Sequence, residues 1–392
     1  MKSVIYAATA AAAFTGALAA PSTPKSKRQM GADCSAVSLS GNAFAQYEGY
    51  ANSYYAAEVE AAVEQISDPD LAAAAARVAD IPTFMWLDTR AKIDILEPEL
   101  QMVPCDEIIG LVIYDLPGRD CAAKASNGEL SYDQIDVYRS EYIDPIAEII
   151  SRYPGIPMAL VIEPDSLPNL VTNADLQTCQ DSASAYREGV AYALEQLNFD
   201  NVVMYLDAGH GGWLGWDDNL EPGAQEIADA YQRAGSPSQV MGVASNVAGW
   251  NAFSMNPGEF ANADDAQWNS AQDEQRYAEL FSPLLEQNGM PGQFIVDTGR
   301  NAVQGLRDEW GDWCNVDGAG FGVRPTSDTG DSNVDAFVWV KPGGESDGTS
   351  DTSADRYDSY CGKPDAFKPS PEAGTWNQEY FEMLVRNADP PL

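Results

Sequence analysis

The chain has 392 residues, which is enough for one barrel-sized domain or two ordinary ones. Its 60 acidic residues against 22 basic ones give a net charge of −38 at pH 7, which repels phosphate backbones and anionic lipid. We therefore expect neither nucleic acid nor a membrane as partner. A hydrophobic fraction of 45% and nine tryptophans exclude a disordered acidic tail.

The first 28 residues have the pattern of an export signal. A lysine precedes an apolar stretch from Val4 to Ala20, which contains a small-residue cleavage site. A polar segment follows and ends at the dibasic pair Lys27-Arg28. The sequence thus predicts a signal peptide over residues 1–19, a propeptide over 20–28 and a single domain over 29–392. We expect a secreted monomer.

The six cysteines and the single histidine, His210, narrow the possible chemistry. In an exported protein six cysteines indicate disulfides, although their spacing leaves the pairing open, and no CxxC pair suggests zinc. One histidine excludes a histidine metal cluster. The chain also lacks a P-loop, a dinucleotide-binding glycine motif and a GxSxG elbow. We expect no metal and no cofactor, which leaves carboxyl groups as the reactive groups.

Helical and strand patterns alternate along the chain. Helical spacing extends from Gly41 to Ala79, and four further helices are predicted over Tyr132–Arg152, Ser182–Leu197, Pro222–Ala234 and Glu274–Gln287. Seven short apolar runs are typical of buried parallel strands. They are Thr83–Leu87, Ile108–Tyr114, Met158–Ile162, Val202–Leu206, Met241–Ala244, Gln293–Val296 and Ala336–Val340. This alternation predicts an α/β fold with parallel strands closed or nearly closed into a barrel, with an open doubly wound sheet as the alternative.

Nearly every predicted strand ends in a charged or amide side chain, and strand ends carry the chemistry of α/β barrels. Asp165 follows the third strand among apolar residues, which raise the pKa of a carboxyl group and suit it to donate a proton. Taken alone, such an aspartate could equally cap the next helix. The carboxyl groups expected to face one cavity are those of Asp88, Asp115, Asp120, Asp165, Asp207, Asp297 and Asp347.

Crowded carboxyl groups and aromatic rings together favour cleavage of a glycosidic bond. This reaction needs one carboxylic acid for the leaving oxygen and one carboxylate for the water or the nucleophile. Flat aromatic rings suit the faces of sugars. A single tryptophan more often belongs to the core, but Trp213 and Trp216 lie in a glycine-rich loop after a strand. The other aromatic candidates are Trp86, Tyr114 and Trp313.

Two long segments lack strand or helix periodicity, and each contains a cysteine. They are Leu116–Ser131 and Pro342–Thr375. Structureless connections of this length in a compact domain are either functional lids or disordered. The cysteines favour ordered lids, and we call these segments the first lid and the second lid.

Six stretches carry a specific resemblance. They are VIYDLPGRDCAAKASNGE, LVIEPDSLPN, MYLDAGHGGWLGW, WGDWCN, GFGVRP and WVKPGGESDGTSD. They resemble the motifs of glycoside hydrolase family 6, in particular its fungal cellobiohydrolases of the non-reducing-end type. The resemblance implies a distorted barrel of seven parallel strands whose active-site tunnel is roofed by the two lids. It further implies metal-free, inverting hydrolysis of β-1,4-glucan, with cellulose and cello-oligosaccharides as substrates.

The resemblance also implies catalytic roles. Asp165 would be the general acid, and Asp120 would share its proton and relay one from the water. Asp347 would be the base candidate, Tyr114 would press on the sugar at the cleavage subsite, and Ser126 would hold the water. The implied substrate-binding residues are Trp86, Asp88, Asp207, His210, Trp213, Trp216, Asn246, Trp313, Lys341 and Glu345, with Arg119 and Arg300 as support. The implied disulfides are Cys121–Cys179 and Cys314–Cys361, with Cys34–Cys105 as the remaining pair.

Two alternatives stay open. Flexible lids would give an endo-β-1,4-glucanase of the same family, whereas full-length lids favour release of cellobiose from chain ends. An inactive secreted carbohydrate-binding protein is the alternative from another class, and the presence of Asp165, Asp120, Tyr114 and Ser126 argues against it. No cellulose-binding module or Ser/Thr/Pro linker is recognisable, so weak retention on crystalline cellulose is expected.

Overall fold

The computed structural model describes residues 28–392, so the predicted signal peptide and residues 20–27 of the predicted propeptide lie outside the described part. The strands of that part are β1 (Glu48–Gly49), β2 (Met85–Leu87), β3 (Glu107–Ile113), β4 (Met158–Ile162), β5 (Val202–Asp207), β6 (Val240–Ser245), β7 (Gln293–Asp297) and β8 (Val334–Val338). Its α-helices are α1 (Ser53–Val63), α2 (Pro69–Ala76), α3 (Ile93–Leu100), α4 (Ile135–Val137), α5 (Asp144–Ser151), α6 (Leu167–Thr172), α7 (Gln177–Gln196), α8 (Asp217–Arg233), α9 (Glu274–Gln287) and α10 (Gln378–Arg386). A π-helical segment, Tyr138–Ile143, joins α4 to α5.

All strands pair in parallel and form one sheet in the order β1, β3, β4, β5, β6, β7, β8, and β2 also pairs with β3. β1 and β2 share one edge of β3 at different heights. The sheet curls until the segment before β2 reaches the segment after β8, where the Phe84 N–H donates to the Trp339 carbonyl at 2.9 Å. The predicted distorted barrel of seven parallel strands is therefore confirmed, and the two-residue β1 is an addition to it.

The seven predicted strands correspond to β2 through β8, and their ends differ from the prediction by at most two residues. The predicted helix Glu274–Gln287 is α9. The predicted helical region over residues 41–79 divides at Asp68, whose carboxylate accepts the N–H of Asp70 at 3.0 Å and caps α2. Helices α3, α6 and α10 are not predicted from the sequence. Pro98 interrupts the helical pattern of α3, and α6 has only six residues. No helix of the described residues is long and apolar enough to span a membrane.

Strands β2 to β8 are largely buried on both faces, which explains their continuous apolar sequences, whereas both residues of β1 are exposed. All five residues of β4 are buried. One face of the sheet, with Val112, Val161 and Val203, packs inside the barrel. The other face, with Leu111 and Leu160, packs in the larger apolar cluster that includes residues of the surrounding helices. Both faces are therefore fixed by packing, which gives the loops after the strands a rigid base.

Candidate active site

A cavity of about 620 Å³ lies at the carboxyl ends of the barrel strands. Residues at or just after the ends of several strands line it, as expected for an α/β barrel. The predicted site residues that line the cavity are Trp86, Asp88, Tyr114, Arg119, Asp120, Ser126, Asp165, Asp207, His210, Trp213, Trp313, Lys341, Glu345 and Asp347.

Trp216 and Asn246, two further predicted binding residues, do not line this cavity. The Trp216 ring packs edge-on against Trp310 with ring centroids 6.2 Å apart, and Trp310 does line the cavity. The Asn246 side chain is fully buried and donates to the carbonyl of Asp297 at 2.8 Å. Asn246 is thus buried within the wall, whereas Trp216 is partly exposed and packs against a residue that lines the cavity.

Two of the seven carboxyl groups expected in the cavity, those of Asp115 and Asp297, are buried outside it. The Asp297 carboxylate accepts backbone N–H groups of Gly299 at 2.9 Å and Ala248 at 3.0 Å. Asp115 has zero exposure, and its nearest cation is Arg119 at 3.8 Å. The expectation is therefore wrong for these two aspartates, because the chain direction at each strand end decides which carboxyl group turns inward.

Asp120 and Asp165 both have left-handed backbone conformations, with φ angles of 56° and 58°. Such angles are uncommon outside glycine, and aspartate is one of the few residue types that tolerate them. Each such residue costs on the order of 1–3 kcal/mol and persists only where the surrounding structure holds it, often at a functional site. Here the strain turns both side chains toward the same cavity.

Burial raises the pKa of Asp165 well above its ordinary value. The carboxyl groups of Asp120, Asp207 and Asp347 raise it further, and the positive charge of Arg119 opposes them only in part. The side chain is nevertheless partly exposed, and it borders the cavity. The raised pKa therefore favours the protonated form of Asp165, which is the form that can donate a proton to a bound molecule.

Asp120 lies within a hydrogen-bonded group on the first lid. Burial raises its pKa to about 6, while the hydroxyl of Ser126 and the charge of Arg119 act in the opposite direction. The Ser126 hydroxyl donates to the Asp120 carboxylate. Arg119 donates to the Tyr114 carbonyl at 2.6 Å, and its guanidinium lies 4.2 Å from the centre of the Tyr114 ring. Arg119 thus fixes the tyrosine and the first lid together.

Asp207, the last residue of β5, is bound to the backbone of the acid. Its Oδ2 accepts the N–H of Asp165 at 3.1 Å and that of Gly209 at 3.3 Å. Burial raises the pKa of Asp207 to about 7, and these two hydrogen bonds lower it in part. A second carboxyl group with an elevated pKa therefore stands directly beside Asp165.

Asp347 is held by cations. Arg300, which is buried behind the cavity wall, donates from one nitrogen to both carboxylate oxygens at 3.0 and 2.9 Å. The backbone N–H of Asn315 adds a bond at 2.8 Å, and Lys341 lies 3.8 Å away. Both oxygens are therefore engaged by protein donors, and Arg300 acts as the support predicted from the sequence without lining the cavity.

Trp86 and Tyr114 form an aromatic corner, with ring centroids 5.2 Å apart and planes at 89°. Nε1 of Trp86 donates to the Val340 carbonyl at 2.7 Å, which fixes the indole ring. Lys341 stands 5.8 Å from the centre of the Trp86 ring and 3.9 Å from the carboxylate of Glu345. The corner thus combines flat rings with a cation and an acid, as a sugar-binding subsite requires.

Several lining residues escaped the prediction. They are Lys92, Asn169, Trp250, Arg307, Trp310, Arg356 and Tyr360. Trp310 stands in the WGDWCN stretch, three residues before Trp313, and the motif itself could have indicated it. Arg307 and Arg356 carry no signal in the sequence, because they reach the cavity from loops whose path only the fold defines.

The two lids meet over the cavity. The N–H of Lys124 on the first lid donates to the Asp358 carboxylate of the second at 2.9 Å. Arg356 of the second lid donates to the carbonyls of Ala125 and Asn127. All five residues belong to the lid segments predicted from the sequence, so the lids are ordered and joined to each other.

The structure contains the two disulfides that the resemblance implies and the pair that remained after them. Cys121–Cys179 ties the first lid to α7, and Cys314–Cys361 ties the second lid to the loop that carries Trp313. Cys34–Cys105 lies just before the amino end of β3. Within residues 28–392 no three His, Cys, Asp or Glu side chains are grouped so that they could hold a metal ion.

A carboxyl group with a raised pKa, further carboxyl groups and aromatic rings in a roofed cavity at a barrel mouth are typical of an enzyme that cleaves glycosidic bonds. The family model described as Glycosyl hydrolases family 6 matches residues 44–388. The chain belongs to glycoside hydrolase family 6.

Known proteins agree with this assignment. A 1,4-beta-D-glucan cellobiohydrolase of Podospora anserina is 62% identical over 396 residues, covering 99% of this chain and 99% of the relative. Exoglucanase-6A of Humicola insolens is 50% identical over 369 residues, covering 91% of this chain and 76% of the relative. The solved structure of a Humicola insolens cellobiohydrolase in complex with glucose and cellotetraose superposes with a TM-score of 0.85 at 49% identity, covering 90% of this chain and 100% of that one.

Proposed function

We propose that this glycoside hydrolase cleaves β-1,4-glucosidic bonds of cellulose and cello-oligosaccharides with inversion, releasing cellobiose from non-reducing ends. The observation that carries the proposal is the contact between the two lids over a cavity that holds Asp165 and Asp120. A roofed cavity admits a chain end more readily than the middle of a polymer. The relatives named cellobiohydrolase and exoglucanase support the same activity.

Asp165 is the proposed general acid. Its elevated pKa keeps a proton available for the glycosidic oxygen, which must be protonated as the bond breaks. Asp207 accepts the backbone N–H of Asp165 and so fixes the position of the acid. The titrations of Asp120 and Asp165 are coupled, because a negative charge on either carboxylate raises the pKa of the other.

Ser126 and Asp120 form the proposed water site. The serine hydroxyl already donates to Asp120, so its oxygen can accept a hydrogen bond from water while Asp120 relays the released proton. Asp347 is the less suitable group for this step, because Arg300 engages both of its oxygens. We assign Asp347 to the electrostatic support of the positive charge that develops on the sugar.

The sugar units are proposed to lie along the aromatic walls. Trp86 and Tyr114 form the corner at the cleavage subsite, with Lys341 and Glu345 for hydroxyl groups. Trp213 and Trp313 line other parts of the cavity. The Trp213 ring is fixed by a bond from its Nε1 to the Thr172 hydroxyl at 2.7 Å. Rings that are fixed in advance lose little conformational entropy when a sugar binds.

The first product from cellotetraose tests the mechanism. We expect α-cellobiose, followed in real time by proton NMR of the anomeric signals before mutarotation. The β anomer as first product would contradict inversion. Glucose and cellotriose as the main products would contradict the release of cellobiose.

The viscosity of a soluble substituted cellulose tests the position of attack. Exo action lowers viscosity slowly relative to the reducing ends formed, whereas an endoglucanase of the same family would lower it rapidly at the start.

We also propose that the protein acts outside the cell as a monomer. The export pattern of residues 1–28 and the three disulfides support the location.

A further inference from the structure

His210 is the single histidine of the chain, and its ring borders the cavity. Two groups approach its Nδ1 atom. The backbone N–H of Gly212 donates to Nδ1 at 3.1 Å, and Nδ2 of Asn251 lies 3.1 Å from the same atom. A backbone N–H can only donate, so this contact favours a lone pair on Nδ1, and the Asn251 group either reinforces or opposes that preference.

The orientation of the Asn251 amide is fixed from both ends. Its Oδ1 faces Nη2 of Arg307 at 2.8 Å, and a guanidinium has no acceptor, so this end must be the oxygen. Its Nδ2 donates to Oε1 of Glu274 at 2.7 Å, and that oxygen also accepts the N–H of Gly211 at 2.9 Å. An amide placed between an arginine and a glutamate has one favourable orientation, so the group facing His210 is the NH2.

Arg307 and Glu274 are themselves held in place. Arg307 forms an ion pair with Glu259, and the two side chains are only 3% and 7% exposed. Glu274 has zero exposure and is the first residue of α9. The amide of Asn251 therefore cannot turn without breaking its buried contacts with Arg307 and Glu274, which leaves buried polar groups unsatisfied.

Two donors at Nδ1 place the ring proton on Nε2, because the hydrogen bond made by one ring nitrogen sets the state of the other. Among residues 28–392 Nε2 has no hydrogen-bond partner, so it is the ring nitrogen left for a ligand. Burial, with a smaller contribution from Arg307, lowers the pKa of His210 to about 3. The ring is accordingly neutral and offers one N–H.

We propose that Asn251, oriented by Arg307 and Glu274, is a positioning residue that locks His210 in the Nε2–H tautomer. The cavity wall then presents a fixed hydrogen-bond donor. On the basis of the proposed function, this donor selects an acceptor oxygen of the glucan. The tautomer itself does not depend on that function and can be measured without substrate.

The single histidine makes the measurement direct. Protein labelled with 15N only in histidine, and carrying no histidine tag, gives one imidazole in long-range 1H–15N correlation spectra. We expect an unprotonated Nδ1 and a protonated Nε2 in the unmodified protein at neutral pH. A protonated Nδ1, or a mixture of the two tautomers, would overturn the proposal.

Two variants test the role of the amide. Asn251→Asp replaces the donor with a carboxylate oxygen that accepts a proton from Nδ1 in competition with the Gly212 N–H, so we expect the Nδ1–H tautomer to become populated. Arg307→Gln removes the group that can only donate, so we expect a mixture of tautomers. Glu279→Gln makes a comparable change at an exposed position of α9 and should leave the spectrum unchanged. Variants that are folded by circular dichroism but keep a pure Nε2–H tautomer would refute the positioning role.

Steady-state kinetics on cellotetraose supply a second readout. Loss of the donor weakens the binding of the substrate and of the transition state equally. KM should therefore rise roughly threefold to tenfold in Asn251→Asp, with kcat little changed. A fall in kcat at constant KM would contradict a role in binding. If the unmodified protein proves inactive, the proposed function fails while the NMR result still decides the tautomer.

Discussion

Asp115 and Asp120 show that neighbouring aspartates in this protein can have quite different environments. They are five positions apart, yet Asp120 lines the cavity and Asp115 is sealed beneath the first lid. Asp120 has a left-handed backbone conformation, as Asp165 has after β4. Asp120 borders the cavity and can exchange protons with a ligand, whereas the fully buried Asp115 can affect only stability.

Asp165→Asn should separate catalysis from binding. The amide keeps the shape of the side chain but has no proton to give, so kcat on cellotetraose should fall on the order of 10²–10⁴-fold. Binding of cellotetraose, measured by calorimetry, should persist. An unmodified protein as inert as the variant would instead support an inactive carbohydrate-binding protein.

Asp115→Asn should change how stability depends on pH. Burial raises the pKa of Asp115 to about 9, with Arg119 opposing and Glu163 adding to the rise. An unfolded aspartate releases its proton near a pKa of about 3.9. Between these values the folded state binds more protons, so the contribution of Asp115 to stability is lost as pH rises through this window.

The Tm of the Asp115→Asn variant should therefore exceed that of the unmodified protein at mildly alkaline pH, with little difference at acid pH. Roughly 1–2 °C is expected for each 1 kcal/mol regained, because the unfolding entropy grows with the length of the domain. Asp136→Asn, at a side chain that is 95% exposed, is the control and should follow the unmodified curve. Parallel curves for all three proteins would show that Asp115 does not titrate in this range.

At the scale of elements, the lids are the parts that decide the mode of attack. Neither lid contains a long helix or a strand of the barrel sheet, so their order depends on contacts made elsewhere. The disulfides anchor Cys121 and Cys361, and the hydrogen bonds at Lys124 and Arg356 join one lid to the other. Order imposed in this way can be weakened locally without unfolding the barrel.

Arg356→Ala should make the enzyme more endo-like. The variant loses bonds to the carbonyls of Ala125 and Asn127, and each bond is worth about 1 kcal/mol, or roughly a fivefold change in the population of open lids. The viscosity loss of soluble cellulose per reducing end formed should therefore increase. Arg386→Ala, at an exposed ion pair on α10, is the control. An unchanged ratio with reduced overall rate would show that the bonds do not control access.

At the scale of the whole molecule, a barrel buried on both faces carries a cavity at one end. The net charge of −38 does not oppose binding, because the proposed substrate is neutral, and it favours solubility. The disulfides lie in two separate places. One is near the amino end of β3, where it affects the stability of the domain, and the other two hold the lids that control access to the cavity.

Removing the Cys34–Cys105 disulfide should therefore affect stability alone. The pair closes a segment of 71 residues, for which chain entropy predicts a loss of about 4 kcal/mol. Calorimetry of the Cys34→Ser, Cys105→Ser protein should show a Tm several degrees lower, with kcat on cellotetraose unchanged at moderate temperature. The Cys121→Ser, Cys179→Ser protein should lose activity as well, because it frees the first lid. Equal loss of activity in both would contradict this division.

The sequence by itself determined the local features of the protein. Continuous apolar runs define buried parallel strands because both faces must pack, and β4 begins and ends where its sequence predicts. The motif with Asp165 follows the apolar run of β4 directly, so the sequence indicates an acid at the end of this strand.

Only the tertiary structure decided which side chains share the cavity. The turn of the backbone at each strand end excludes Asp115 and Asp297, and packing places Asn246 behind the wall. Arg307 and Asn251 meet across 56 positions of sequence, and Lys124 and Asp358 across 234. No local pattern specifies such contacts, because they depend on how the closed sheet brings separate loops together.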